Sequence, residues 1–378
     1  MPDVFVISDC IVSPLGLTTA ENFDQLLENN SGIKEYEDSS LSEDPFFASL
    51  FGKETGPLND KGESKYTHFE ALLIQAIRTV IENSGIDPRD NKTMLIISST
   101  KGNIGLLGSG SVTPELQQRV ALHTSAQLVA DHFHFVHPPV VVSNACISGS
   151  LALIVGKRMI DAGHCETAVI AGADILSKFI LSGFQALQAI SREPCKPFDM
   201  SRNGITLGEG AAAVVLSGKN KNADDCKVLG AAVGNDANHI SGPSRTGEEL
   251  AYAIGEALKE AGKTSTNVGF ISAHGTATVF NDEMEAKAFA LAGLSASPLN
   301  SLKGYFGHTL GAAGLIESII SIRSLKQGLV IPTKGFQRSD FSAPLTICDT
   351  LLKGNFQYCL KTASGFGGCN AAILFGRS

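Results

Sequence analysis

VVVSNACISGSLAL, running from Val140 to Leu153, decides how the rest of the chain is read. Three consecutive β-branched residues predict a buried strand, and the small residues with Gly149 and the apolar run Leu151 to Val155 predict a tightly packed helix. Cys146 falls at the elbow between them. A thiol at a helix N-terminus feels the positive end of the dipole, which lowers its pKa and enriches the nucleophilic thiolate. A free cysteine is also commonly a small buried hydrophobe, and the elbow alone leaves both readings open.

The chain around the elbow alternates strand and helix patterns. Val4 to Ile11 predicts a strand, Asn22 to Leu27 a helix, and the polar stretch 30–60, with SSLSEDP and GPLNDKGESK, a surface loop. Phe69, Leu72, Leu73, Ala76, Ile77 and Val80 recur at helical spacing within Tyr66 to Asn83. Met94 to Ser98 predicts a buried strand, residues 102–114 a glycine-rich loop, and Pro114 to Phe133 one helix. Strands follow at Glu166 to Gly172 and Ala211 to Leu216.

Beyond the polar bridge Gly218 to Cys226 the order starts over. Val228 to Gly234 is a strand, Glu248 to Ala261 a helix, Gly269 to Ala273 a strand, and Leu299 to Leu302 a strand entering the small-residue helix GHTLGAAGLIESIISI. Phe356 to Ala363 and Ala371 to Phe375 close the chain. One βα module used twice predicts an α/β fold with halves 1–218 and 219–378, two central sheets, and five layers ordered α/β/α/β/α.

Composition narrows the function classes. Hydrophobic content of 43% with 39 glycines and no tryptophan is that of a globular α/β protein. No run reaches the roughly 18 apolar residues of a membrane span. The N-terminus MPDVFVISDC carries acids where a secretion signal is basic, and eight scattered cysteines without a CxxC pair fit a reducing, cytoplasmic setting. A net charge of −8 disfavours a nucleic-acid footprint.

Three further stretches carry chemistry. SAHGTATVFNDEMEAKA, Ser272 to Ala288, sets His274 at a strand end, with Thr276 and Thr278 able to bond a ligand's amides. Asp282 and Glu285 begin the next helix, where acids also serve as caps. For His274 taken alone, a satisfied structural histidine is the ordinary reading. NSLKGYFGHTLGAAGLIE, Asn300 to Glu317, brings Lys303 and His308 together across a glycine turn before a helix. A nearby ammonium and a helix N-terminus both disfavour protonation of His308, and Glu317 is a candidate partner for Lys303. In SGFGGCN, Ser364 to Asn370, a strand rather than a helix follows the glycines, so the turn suits close backbone approach and an oxyanion hole better than a phosphate. Phe366 at its centre would be a movable wall. His132, His134 and His137 cluster before the central strand, where a metal site would need its ligands on one face and a carboxylate or thiolate partner, so a metal site is not the expected reading.

Six motifs, SPLG, NAC, PFDMSRNGITLGEGA, AHGTAT, LKGYFGHTLGAAG and GFGGCN, stand in the order found in β-ketoacyl-acyl-carrier-protein synthases of the elongating, two-histidine type, and nearly the whole chain resembles that family of the thiolase-like superfamily. The resemblance implies decarboxylative Claisen condensation. Cys146 would hold an acyl group as a thioester, and His274 and His308 would assist loss of CO₂ from malonyl carrier protein. The backbone N–H groups of Cys146 and Phe366 would form the oxyanion hole. Lys303 would tune the histidines with Glu317 behind it, and Asp282 and Glu285 would support the site. Thr276, Thr278, Gly365, Phe366 and Gly367 would line the substrate channel. The resemblance implies acyl carrier protein as partner, no cofactor or metal, and a homodimer, or a heterodimer with a ketosynthase-like subunit.

Against the family pattern, the stretch from Thr100 to Cys146 is short, Asn203 stands where aspartate is usual, Val279 where proline is, and Cys369 where threonine is. The short stretch, which in the family shapes dimer interface and acyl pocket, keeps a specialised polyketide or polyene ketosynthase open beside a fatty-acid enzyme. Thiolase proper would want a second cysteine within the glycine loop, and Cys369 lies beyond it. A non-catalytic chain-length partner would have lost the nucleophile.

Overall fold

The computed structural model describes residues 3–52, 65–108 and 111–378. The first half contains β1 (Phe5–Val12), α1 (Thr19–Leu27), β2 (Ile33–Tyr36), β3 (Phe46–Ser49), α2 (His68–Ser84), β4 (Thr93–Ser98) and α3 (Pro114–Val120). It continues through α4 (Leu122–Phe133), β5 (Val140–Val142), α5 (Ser148–Asp161), β6 (Thr167–Asp174), α6 (Lys178–Ala186), β7 (Leu207–Gly208) and β8 (Gly210–Ser217). The second half has β9 (Cys226–Asn235), α7 (Glu248–Glu260), β10 (Phe270–Ser272), α8 (Val279–Leu291), β11 (Pro298–Asn300), α9 (Lys303–Phe306) and α10 (Ala313–Gln327). It closes with β12 (Leu329–Val330), β13 (Thr346–Ile347), β14 (Leu352–Lys353), β15 (Tyr358–Gly365) and β16 (Cys369–Gly376).

The two halves repeat one strand order. Strands β1-β8-β6-β4-β5 in the first correspond to β9-β16-β15-β10-β11 in the second, with β13 added at the far edge. The two expected sheets touch along one edge: β1 and β9 pair antiparallel at Phe5–Lys227 and Val6–Cys226, so the order runs on through eleven strands. In each half, the strand before the elbow pairs parallel with its neighbour, β5 with β4 and β11 with β10.

Side chains alternate across the strands because the β period is two. On β16, Ala371, Ile373 and Phe375 face the cluster that contains α5 and α10 residues, while Ala372 and Leu374 face that of α7 and α8. On β8, Ala212, Val214 and Leu216 face the α5/α10 cluster, and Ala211, Ala213 and Val215 face α2 and α4. Helices therefore lie outside each sheet and between the two, giving the five α/β/α/β/α layers. Strands covered on both faces read as unbroken apolar runs.

Local signals set several boundaries. Thr67 and Glu70 form a capping box that opens α2, and Gly85, at φ 71°, ends it in a left-handed turn. The helix expected from Pro114 to Phe133 is two, broken at Ala121, whose ψ of 130° is extended. The loop expected over 30–60 contains β2 and β3, which pair with each other, β3 also pairing with β7. Residues 53–64, most of its second polar stretch, lie outside the described residues, as do 109–110 of the glycine-rich loop.

Candidate active site

The elbow after β5 is sharp because Ala145 takes a left-handed φ of 43°. Ser148 Oγ accepts the Asn144 N–H at 2.8 Å and donates to the Ala145 carbonyl at 2.6 Å, which holds the turn. Cys146 lies two residues before α5 begins and is 7% exposed. The expected lowering of its pKa is overturned: burial pushes the thiol up to about 12, against the pull of the Lys303 ammonium and of a hydrogen bond from the Phe366 N–H. Desolvation of the anion outweighs the helix dipole because the residue is buried, with little contact with water.

His274 follows β10 and its loop is pinned by the two acids on α8. Glu285 accepts the His274 and Gly275 N–H groups at 2.7 and 2.6 Å, and Asp282 accepts those of Thr276, Ala277 and Phe198 at 2.9, 3.1 and 2.8 Å. These carboxylates thus organise the loop rather than cap the helix. Burial, with the neighbouring Asp282 charge, raises Glu285 to about 7.

His308 follows the turn after α9, where its N–H donates to the Thr206 carbonyl at 2.7 Å. Its Nδ1 accepts the Leu310 N–H at 3.2 Å, while Nε2 is buried without a hydrogen-bond partner. Lys303 Nζ donates to His274 Nδ1 at 3.3 Å and to Glu317 Oε1 at 2.5 Å. An ammonium has no lone pair, so His274 Nδ1 is the acceptor and its proton rides on Nε2. Burial first, then Lys303 and other neighbouring charges, hold both imidazoles well below their usual range, so both are neutral N–H donors.

The two rings meet edge to face with centroids 5.2 Å apart. The Cys146 sulfur and a nitrogen from each ring all lie within 4.8 Å of one another. Such donor types also hold thiophilic metals, but with each Nδ1 already accepting, the trio offers N–H groups rather than lone pairs.

Cys146, His274, His308, Thr276, Thr278 and Phe366 share the lining of one cavity of ≈ 280 Å³. The hydroxyls of Thr276 and Thr278 lie 2.9 Å apart. A Cβ on Gly365 would sit 3.0 Å from the Cys146 nitrogen, so only glycine lets β15 pass the elbow this closely. Phe366 is 37% exposed, its ring 5.8 Å from that of Phe184. Gly367 is not in the lining; its N–H donates to the Ile240 carbonyl at 2.7 Å. Asn203 lines the cavity and accepts from Ser191 Oγ at 2.6 Å. Sequence reasoning missed Lys361, a fully buried ammonium 2.7 Å from Glu317 Oε2.

The model of the β-ketoacyl synthase N-terminal domain matches residues 1–222, and that of the C-terminal domain residues 226–337. The chain belongs to the β-ketoacyl synthase family. The synthase is 29% identical to the 3-oxoacyl-[acyl-carrier-protein] synthase 2 of Vibrio harveyi over 97% of this chain and 96% of that relative. Its fold matches a β-ketoacyl synthase from Burkholderia phymatum with TM-score 0.91 and 25% identity, covering both chains fully. A chain from a ketosynthase in complex with its chain length factor, from Xenorhabdus doucetiae, matches with TM-score 0.85 and 23% identity over 100% of this chain and 98% of that one. The synthase is a condensing enzyme of the acyltransferase type with the thiolase-like α/β fold. No helix among the described residues is long and apolar enough to cross a membrane.

Proposed function

We propose that this synthase condenses malonyl-acyl-carrier-protein with an acyl group carried on Cys146, with loss of CO₂, in fatty-acid or related biosynthesis. The observation that carries the reading is the buried sulfur within 4.8 Å of two neutral imidazoles at the end of one cavity. In the first half-reaction Cys146 Sγ attacks the acyl thioester carbonyl, and its proton ends on the departing pantetheine sulfur. The oxyanion forms against the backbone N–H groups of Cys146 and Phe366. In the second, the Nε2–H groups of His274 and His308 donate to the malonyl thioester oxygen, so the electron pair of the breaking carboxyl bond settles as an enolate. That carbanion attacks the acyl-Cys146 carbonyl, and collapse returns the sulfur, which takes up a proton. Lys303 holds His274 in the donor tautomer and Glu317 holds Lys303. Thr276 and Thr278 meet the pantetheine amides, and Gly365 and Phe366 shape the channel.

The partner in this reading is an acyl carrier protein, the compartment is the reducing cytoplasm in which eight free buried thiols persist, and the assembly is a homodimer. The alternative pathway is a specialised polyketide one, with a chain-length-factor heterodimer. Sedimentation at twice 39.7 kDa supports the homodimer, and condensation only after addition of a ketosynthase-like subunit overturns it.

The test of function is a Cys146 pair assayed with acyl- and malonyl-carrier proteins. Cys146→Ala abolishes condensation, and Cys146→Gln retains malonyl decarboxylation without it. Equal condensation by wild type and Cys146→Ala rejects the assignment.

A further inference from the structure

Lys361 stands in the middle of β15 and is 0% exposed, with its whole stem inside the sheet. Its ammonium meets an oxygen cage. Three main-chain carbonyls surround it, those of Thr362 at 2.5 Å, Ser272 at 3.3 Å and Ala273 at 3.4 Å, and Glu317 Oε2 lies 2.7 Å away. Ser272 and Ala273 are the two residues immediately before His274. The other oxygen of Glu317 holds Lys303, and Lys303 holds His274 Nδ1. A continuous chain of charges therefore runs from Lys361 through Glu317 and Lys303 to the imidazole.

Two cations on one carboxylate is an expensive arrangement in a dry interior unless each does something the other cannot. Were Glu317 matched to Lys303 alone, the pair would be near neutral as seen from His274. Because Glu317 is divided between two ammonium groups, a net positive field remains beside the rings. The charged and titratable groups facing this cluster are Lys303, Glu317, Asp282, Glu285, the two imidazoles and the thiols of Cys146, Cys195 and Cys359. Glu285 meets β15 through the Thr362 hydroxyl, which donates to its Oε1 at 3.3 Å.

We propose that Lys361 is a positioning residue of the condensing site: its ammonium clamps the strand end that carries His274 and, by sharing Glu317, leaves Lys303 enough positive field to keep both imidazoles as neutral N–H donors. The role rests on the reading of His274 and His308 given above. Lys361 acts on both rings in the direction that disfavours their protonation, after burial and Lys303 and, for His274, after the His308 ring as well. Removing its charge therefore moves the imidazole pKa values up, toward the ordinary value of about 6.5.

The test uses the full chain with nitrogen-labelled histidine and Lys361→Met, which keeps the length of the stem and drops the charge. In the wild type the His274 and His308 signals stay neutral from about pH 8 down to about pH 5, and in Lys361→Met at least one of them titrates inside that window. In parallel, malonyl-thioester decarboxylation by Lys361→Met falls up to about fourfold relative to wild type near pH 6, as expected for one imidazole titrating at about 6.5, and hardly at all near pH 8. A merely structural lysine would lower the rate by the same factor at every pH and leave the imidazole titration where it was. That outcome overturns the proposal. Lys361→Ser gives a second route, since it opens a cage of carbonyl and carboxylate oxygens of the kind that binds small cations. Ammonium ions restore the neutral imidazoles in this variant and tetramethylammonium does not; equal effects of the two salts count against the proposal. The titration needs no turnover, so a wild type that fails to condense malonyl thioesters rejects the proposed function without touching this result.

Discussion

At Cys146 two electrostatic effects oppose each other, the stabilisation of a thiolate by a helix start and a nearby ammonium, and the cost of holding an anion away from water. Burial prevails, raising the thiol to about 12. The sulfur is thus activated only when a substrate carbonyl arrives to take its charge into the oxyanion hole. Alkylation by iodoacetamide should accordingly rise about tenfold per pH unit between about pH 7 and about pH 9, without a plateau. Lys303→Met should lower that rate further, because the ammonium is what pulls the thiol back down. A plateau below about pH 8 would show a thiolate already formed. Cys146 at its elbow, His274 at a strand end and His308 after the α9 turn were each ambiguous alone, and the ordered set of small-residue motifs around them is what made them legible. Lys361 was not. In YCLKTASG a lysine between apolar neighbours reads as the solvent face of a half-buried strand, and only the sheet's two-sided coverage shows it to be internal.

The elbow helices α5 and α10 meet through a matched pair of glycines. A Cβ on Gly149 would lie 2.8 Å from the Leu315 nitrogen and 2.9 Å from the Gly311 carbonyl, and one on Gly314 would lie 2.7 Å from the Ser150 nitrogen. The contacts are reciprocal because the two elbows are copies of one module turned toward each other. In this way the duplication brings the nucleophile of one half against the histidines of the other. Gly314→Ala should destabilise the protein by about 1–3 kcal/mol, since backbone must move to admit the methyl. A fall in Tm with condensation impaired is the expected result, and an unchanged Tm would mean the helices have slack here. The helices α2, α5, α7 and α10 and the apolar strands β1, β4, β6, β8, β15 and β16 were readable in the sequence, whereas α6 was not. Nor was the break at Ala121, because no glycine or proline marks it; β2 was hidden by its charged residues and β3, although FFAS is largely apolar, by its shortness between polar stretches, its pairing being with β2 and distant β7.

Across the whole molecule the halves are bound too closely to be ordinary domains. The α5/α10 layer draws core residues from the strands of both halves, Ile170 and Val214 on one side and Ile373 and Phe375 on the other. Polar ties cross the same boundary. Asp174 at the end of β6 accepts the Gly311 N–H at 2.7 Å as well as the Ser99 hydroxyl, and Lys157 on α5 pairs with Glu260 at the end of α7 at 2.6 Å. The His308 N–H itself is held by the Thr206 carbonyl from the first half. We therefore propose that segments 1–218 and 219–378, although each repeats the same strand order, do not fold apart. Separating them strips cover from one face of each sheet, and every buried Val, Leu or Ile so exposed forfeits roughly 1.5–3 kcal/mol. Residues 1–218 produced alone should bind a hydrophobic dye and lack dispersed amide signals, and co-expression with 219–378 should restore a species that decarboxylates malonyl thioesters. A dispersed spectrum and a cooperative unfolding transition from the isolated first half would mean that the middle helical layer is an interface between two finished domains rather than a core they hold in common.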